Sequence, residues 1–185
     1  FHCCHLSEHD LEIFKDKNLP LVTCPGSNMK LASGVPQLDK AFKMGINIAI
    51  GTDGPASNNS LDMFKEMWLA TTLQKLTLKD PTALPAFEVL KMATVKGAKA
   101  LGFNDADVLE EGKLADIIMI DLSRPNMQPI NTIVNNIVYA GSKDNIKMTM
   151  IDGRIMYYEG KFYLKESIAG IYKKAQEITD RIIGR

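Results

Sequence analysis

The sequence predicts an α/β fold in which strands alternate with helices as βα units on a parallel sheet, followed by a C-terminal portion of different texture. Three observations carry that expectation. Residues 19–24 and 46–50 are short apolar runs separated by a helical pattern. The second run leads straight into the turn Gly51-Thr52-Asp53-Gly54. From Asp105 onward, paired apolar runs joined by Asp152-Gly153 replace the alternation.

In chain order, Ser7 followed by Asp10 is a capping-box pattern that opens a helix; Leu11 and Phe14 share its face and Lys17-Asn18 close it. Residues 19–24 read as a buried strand ended by Pro25-Gly26. Pro36 opens a second helix bearing Leu38, Ala41 and Phe42, and Gly45 stops it. Residues 46–50 have the composition of a strand. A longer helix over residues 61–76 places Leu61, Phe64, Met67, Trp68 and Thr72 on or near one face. Asp80-Pro81 and Pro85 mark further helix starts, and Gly102 ends the helical stretch through Leu101. The run Ile117-Ile118-Met119-Ile120 reads as a strand, and residues 147–158 read as a hairpin turning at Asp152-Gly153. From Tyr163, Ile168, Ile171, Ala175, Ile178 and Ile182 recur at helical spacing. The expected division is residues 1–104, 105–162 and a terminal helix over 163–185.

Bulk properties narrow the function. With 45% hydrophobic and 24% charged residues among 185, the chain is ordinary globular material. Its 22 Lys plus Arg balance 22 Asp plus Glu, so neither nucleic acid nor a membrane surface is an expected partner. Cys3, Cys4 and Cys24 are odd in number and two are adjacent, which is no disulfide framework and fits a reducing cytoplasm. No stretch reaches the roughly 18–20 apolar residues of a membrane span, and no charged-then-apolar leader opens the chain. The sequence starts at Phe1 rather than Met, in what reads as a strand end, and is expected to be a piece of a longer chain.

Asp53 is the sharpest candidate for chemistry. In a βα barrel the catalytic groups stand at the C-terminal ends of strands, which is where Asp53 falls. A carboxylate there can ligate a metal and take a proton from water; the plainer alternative is a turn aspartate. His2-Cys3-Cys4-His5 offers zinc-ligand residue types, but not the C-x2-4-C spacing of a structural site. On an extended strand His2 and Cys4 face one side and Cys3 and His5 the other, so at most half could meet one ion. Cys3 and Cys4 then read as small buried apolar residues and His9 as a surface residue. Ser27, Asn28 and Lys30 after the first strand, and residues 57–60 after the second, form polar loops suited to a polar ligand or simply to loop capping.

Together, four motifs resemble one family: His2-Cys3-Cys4-His5-Leu6-Ser7, Pro25-Gly26-Ser27-Asn28-Met29-Lys30-Leu31-Ala32-Ser33-Gly34, Gly51-Thr52-Asp53-Gly54-Pro55-Ala56-Ser57-Asn58-Asn59 and Leu61-Asp62-Met63-Phe64. Their order and spacing are similar to those of the amidohydrolases that deaminate 5-methylthioadenosine and S-adenosylhomocysteine. Glu111-Gly112-Lys113-Leu114-Ala115-Asp116 and the hairpin at Asp152-Gly153 look like that superfamily's small β-sandwich. The resemblance implies strands six to eight of a TIM-like (β/α)8 metal-hydrolase barrel over residues 1–104 and part of the sandwich over 105–162. It implies that Asp53 is a metal ligand and proton acceptor, and that His2, at the end of strand six, contacts the hydrolytic water or the substrate. Ser57 and Asn28 are expected to contact the sugar or base.

The resemblance also implies a cofactor, one divalent ion, Zn²⁺ or Fe²⁺. A His-x-His pair from strand one, and a His and a proton-donating Glu near strand five, have no counterpart here. The expectation is therefore a hydrolytic deaminase of a small adenine nucleoside derivative, with this chain an incomplete portion that binds metal weakly alone. A homo-oligomer, or association with the missing N-terminal part, is the expected assembly. Guanine deaminase or triazine chlorohydrolase chemistry, or a non-catalytic subunit needing a partner, are the alternatives.

Overall fold

The computed structural model describes residues 1–184. Glu8–Asp16 forms helix α1 because the Ser7 hydroxyl accepts the Asp10 N–H while the Asp10 carboxylate accepts the Ser7 N–H. This is the capping box the sequence signals, and it satisfies donors that a helix start otherwise leaves open.

Strands β1 (Leu21–Thr23) and β2 (Ile48–Ile50) pair in parallel, with Leu21 opposite Ile48 and Thr23 opposite Ile50. Between them α2 (Pro25–Lys30) and α3 (Leu38–Lys43) supply the crossover that parallel neighbours require. Ile48, Ala49 and Ile50 are all buried, as expected of a strand covered on both faces. Because the two strands run the same way, the segments that follow them emerge side by side.

Two expectations change here. Pro25-Gly26 ends β1 as predicted, but Pro25 also starts α2, since proline at the first helical position has no N–H to lose. Ser27 and Asn28 therefore lie on a short helix rather than in a loop. The strand expected at the start of the chain does not form among the described residues, so two of the three expected barrel strands are present. His2 and Cys3 adopt φ of 64° and 58°, and the Cys3 N–H bonds the Phe1 carbonyl in a tight turn. With a left-handed backbone at these positions, the face alternation expected for residues 2–5 does not apply.

Helix α4 (Met63–Leu78) begins two residues later than predicted, where Asp62 accepts the Phe64 and Lys65 amides as N-cap. Phe64, Met67, Ala70, Thr71 and Gln74 are buried, whereas Trp68, expected inward, is 46% exposed. Pro81 starts no helix: the Asp80 carboxylate takes the Thr82 N–H and hydroxyl and closes a turn instead. Helices α5 (Ala86–Met92) and α6 (Val95–Ala100) complete the predicted helical stretch. Leu21, Leu38, Ile48, Leu84, Val89 and Met92 form the centre of this core, and burying each such side chain contributes about 1.5–3 kcal/mol.

The chain divides into two compact units, Phe1–Lys113 with Asp121–Asn145, and Leu114–Ile120 with the residues from Ile146 on. Residues 105–113 and 121–145 lie in the first unit. The physical anchor of the returning segment is Asn145, buried, which takes the Ser142 N–H at 3.0 Å and donates to the Asp121 carbonyl at 3.1 Å. This segment also contains the short helix α7 (Ile133–Asn135), continued by a wider turn over Asn136–Ala140.

In the second unit β3 (Ile117–Ile120), β4 (Ile146–Ile151), β5 (Arg154–Tyr158) and β6 (Lys161–Phe162) form one antiparallel sheet in that order. Asp152 and Gly153 turn the β4–β5 hairpin at φ of 48° and 72°, the positive pair that a two-residue hairpin demands. Helix α8 (Ile168–Ile183) follows, capped by the Ser167 hydroxyl on the Gly170 N–H, with no buried residue among those described. No described helix is long and apolar enough to cross a membrane.

Candidate active site at the strand ends

Asp53 stands three residues beyond the end of β2, and its backbone is left-handed at φ 62°. That conformation is uncommon for a residue with a Cβ and is held here by side-chain bonds. The Ser27 hydroxyl, from α2, donates to Asp53 Oδ2 at 2.6 Å. The Ser57 hydroxyl donates to the same oxygen at 2.6 Å, and the Gly54 N–H donates to Oδ1 at 2.8 Å. These donors, Ser27 first, then Ser57 and Gly54, lower the Asp53 pKa from the ordinary 3.8 to about 2. The carboxylate is ionised throughout the neutral range.

His2 reaches the same place from the other direction. Its Nδ1 lies 2.8 Å from Asn28 Oδ1, and its Nε2 lies 3.9 Å from Asp53 Oδ2. An amide oxygen only accepts, so Nδ1 carries the proton and Nε2 of the neutral ring offers a lone pair beside the carboxylate. A carboxylate oxygen and an imidazole nitrogen converge there.

The two residues expected to contact substrate are turned toward these groups. Asn28 is 1% exposed and spends its oxygen on His2, while its Nδ2 is buried with no hydrogen-bond partner among the described residues. Ser57 turns its hydroxyl to Asp53 Oδ2 at 2.6 Å, with the Gly54 carbonyl at 3.1 Å as a second acceptor. Lys30 ties α2 to the following turn through the Ala56 carbonyl and Asn59 Oδ1. His5 and His9 stay outside the cluster; His9 is exposed beside Glu12. Burial pushes the Cys24 and Cys4 thiols up, so neither is poised as a thiolate.

Glu66 on α4 is a member of this region that sequence reasoning does not find. It is fully buried, takes the Gly26 N–H at 2.8 Å and the Asn58 Nδ2 at 2.7 Å, and burial pushes its pKa up against those two donors. The available signal was a single acidic residue among Met63, Phe64, Met67 and Leu69 on a helix with an apolar inner side.

Asp53 offers an ionised carboxylate of the kind that ligates a divalent ion, with His2 Nε2 beside it at 3.9 Å. A catalytic zinc usually takes three protein ligands plus water. Among the described residues no group of three or more His, Cys, Asp and Glu side chains could hold an ion. This chain thus fits as a contributor to a ligand set, not as a whole one.

Residues 1–156, which carry this parallel βα arrangement and the groups at its strand ends, match the amidohydrolase family; the chain belongs to it. It is 40% identical over 184 residues to the 5-methylthioadenosine/S-adenosylhomocysteine deaminase of Pelotomaculum thermopropionicum, covering 100% of this chain and 42% of that protein. It is 42% identical over 165 residues to the 5'-deoxyadenosine deaminase of Methanothermobacter thermautotrophicus, covering 89% of this chain and 38% of that protein. Among solved structures, an adenosine deaminase from Xanthomonas campestris with bound zinc superposes with a TM-score of 0.94 at 36% identity, over 100% of this chain and 42% of the other. The guanine deaminase of E. coli superposes at 0.73 with 28% identity, over 85% of this chain and 38% of the other. The chain thus spans well under half the length of these relatives.

Proposed function

We propose that the protein carrying this chain is a metal-dependent hydrolytic deaminase of an adenine nucleoside derivative such as 5-methylthioadenosine or S-adenosylhomocysteine. The observation that carries this reading is the convergence of an ionised Asp53 and the His2 Nε2 lone pair, 3.9 Å apart, at the ends of parallel strands. The names of the relatives at 40% and 42% identity support the substrate class over guanine or triazine. On this reading β1 and β2 are the seventh and eighth barrel strands, His2 follows the sixth, and β3–β6 belong to the small β-sandwich. The remaining donors and the acid come from outside these residues, in a cytoplasmic, homo-oligomeric enzyme.

Asp53 is the donor this chain would offer to a divalent ion, zinc or ferrous iron, with His2 beside it to hold the attacking water. Such an ion, when bound, supplies the Lewis acidity that makes a hydroxide nucleophile available near about pH 7. This chain's own residues handle the attacking water. His2 Nε2 accepts a hydrogen bond from the attacking water and holds it beside Asp53. Asp53 takes the water proton at Oδ2, for which one hydroxyl donor must give way; Ser57, on the exposed turn, moves more readily than buried Ser27. Water adds to the purine carbon bearing the amine as the acid from outside these residues protonates the ring nitrogen, and the proton held by Asp53 passes to the amine, which leaves as ammonia. Asn28 keeps His2 in the tautomer this step needs.

The test is ammonia release from 5-methylthioadenosine and S-adenosylhomocysteine by the full-length protein, with metal content measured alongside. Asp53→Asn removes the ligand charge and the base together, and turnover is expected to fall by about three orders of magnitude or more with the circular dichroism unchanged. Retained turnover would refute the assignment.

A further inference from the structure

We propose that Glu66 is a positioning residue for Asp53, acting by clamping together the turns that carry the two serine donors. This deepens the deaminase reading and rests on it. The clamp is a matter of neighbours in sequence. Glu66 Oε2 accepts the N–H of Gly26, the residue before Ser27, at 2.8 Å. Its Oε1 accepts Nδ2 of Asn58, the residue after Ser57, at 2.7 Å. The same Asn58 Nδ2 donates at 2.8 Å to the carbonyl of Thr52, the residue before Asp53. Every group that holds Asp53 Oδ2, and Asp53 itself, is thus one bond along the backbone from this network.

The approach is built for this carboxylate. A Cβ added at Gly26 would meet Glu66 Oε1 and stand 2.9 Å from Asn58 Nδ2, so only glycine lets the helix start come this close. Asn58 cannot reverse its amide to suit another partner, because its Oδ1 already takes the Ser60 N–H at 3.3 Å and hydroxyl at 3.1 Å. Glu66 is fully buried, so water cannot replace either of its bonds. Among the described residues it bonds Gly26 and Asn58 and neither Asp53 nor His2, and its influence passes through Ser27, Ser57 and Thr52.

Glu66→Gln is the informative change in the metal-loaded full-length protein. One end of the new amide is a donor and must oppose either the Gly26 N–H or Asn58 Nδ2, both donors, while side-chain size is kept. The expected result is a kcat per metal-loaded site lowered about tenfold or more with KM within about threefold. Hydrogen exchange at the Gly26 amide and across residues 52–58 is expected to speed up. Because the effect passes through Ser27, adding Ser27→Ala to Glu66→Gln should cost much less than the product of the two single losses. Unchanged kcat per loaded site, or independent multiplication of the two losses, overturns the proposal. Gly26→Ala displaces the carboxylate without altering it and should reproduce the pattern, which covers the case in which Glu66→Gln fails to fold. A wild-type protein that releases no ammonia sinks the deaminase reading; the clamp is then judged by exchange, and unchanged exchange at Gly26 in the variant overturns it.

Discussion

The carboxylates of the site carry opposite perturbations, and each has its own pH signature. Asp53 is lowered from 3.8 to about 2 by the Ser27, Ser57 and Gly54 donors, so its folded form favours the anion. Its contribution to stability is present above the unfolded value and is lost as pH falls through the folded one. The stability gap between wild type and Asp53→Asn is therefore expected to close between about pH 4 and pH 2, which urea unfolding across that window checks. Glu66 is raised from 4.5, chiefly by burial, so its contribution is complete below that value and is lost as pH rises through the higher folded one. Wild type should lose stability on that upward passage, and Glu66→Gln should not. Asn28 belongs at this scale too: without its oxygen on Nδ1, His2 can take either tautomer. Asn28→Ala is expected to lower turnover about 10–100-fold while metal-free stability changes little, read from steady-state kinetics and thermal melts.

The elements decide how these side chains meet. Because β1 and β2 are parallel, α2 and the turn after β2 leave the sheet at the same end, and Ser27 can reach across to Asp53. Helix α4 closes the arrangement from behind, with its start fixed by Asp62 on the Phe64 and Lys65 amides. Asp62→Ala removes that cap and should cost about 1 kcal/mol in urea unfolding. Since Glu66 sits in the first turn of α4, fraying there should also raise hydrogen exchange at Gly26, a link that a cap on an unconnected helix would not show. The Ser7–Asp10 box of α1 and the Asp152-Gly153 hairpin were both legible in the sequence, because each is closed within a few residues. The α2 helix was not, because proline and glycine serve equally to end a strand and to begin a helix.

At the scale of the molecule, the parallel sheet of the first unit has two strands, each with an edge that no described strand covers. Open edges with buried-type residues invite pairing with another chain. The 185-residue chain expressed alone is therefore expected to associate or aggregate on gel filtration and to hold well below about one tight zinc per chain, since zinc sites need about three protein ligands. A monodisperse chain that retains stoichiometric metal through dialysis would contradict this account of the ligand set. In the second unit Ile171, Ile178 and Ile182 of α8 are exposed, which matches the helical spacing read from the sequence but leaves that spacing without a buried face.

What the sequence by itself determined was local or motif-based: the capped helices, the two parallel strands, the hairpin, the family pattern, and Asp53 at a strand end. These follow from short-range periodicity, turn chemistry and residue order, which a linear chain displays directly. Only the tertiary structure decided that Asn28 backs His2, that Ser27 and Ser57 share one oxygen of Asp53, that His2 and Cys3 leave extended geometry, and that residues 121–145 return to the first unit. It alone brought Glu66 to Gly26 across 40 residues. The physical reason is that hydrogen bonds and burial between distant segments depend on direction and distance in space, and neither is written in the spacing of residues along the chain.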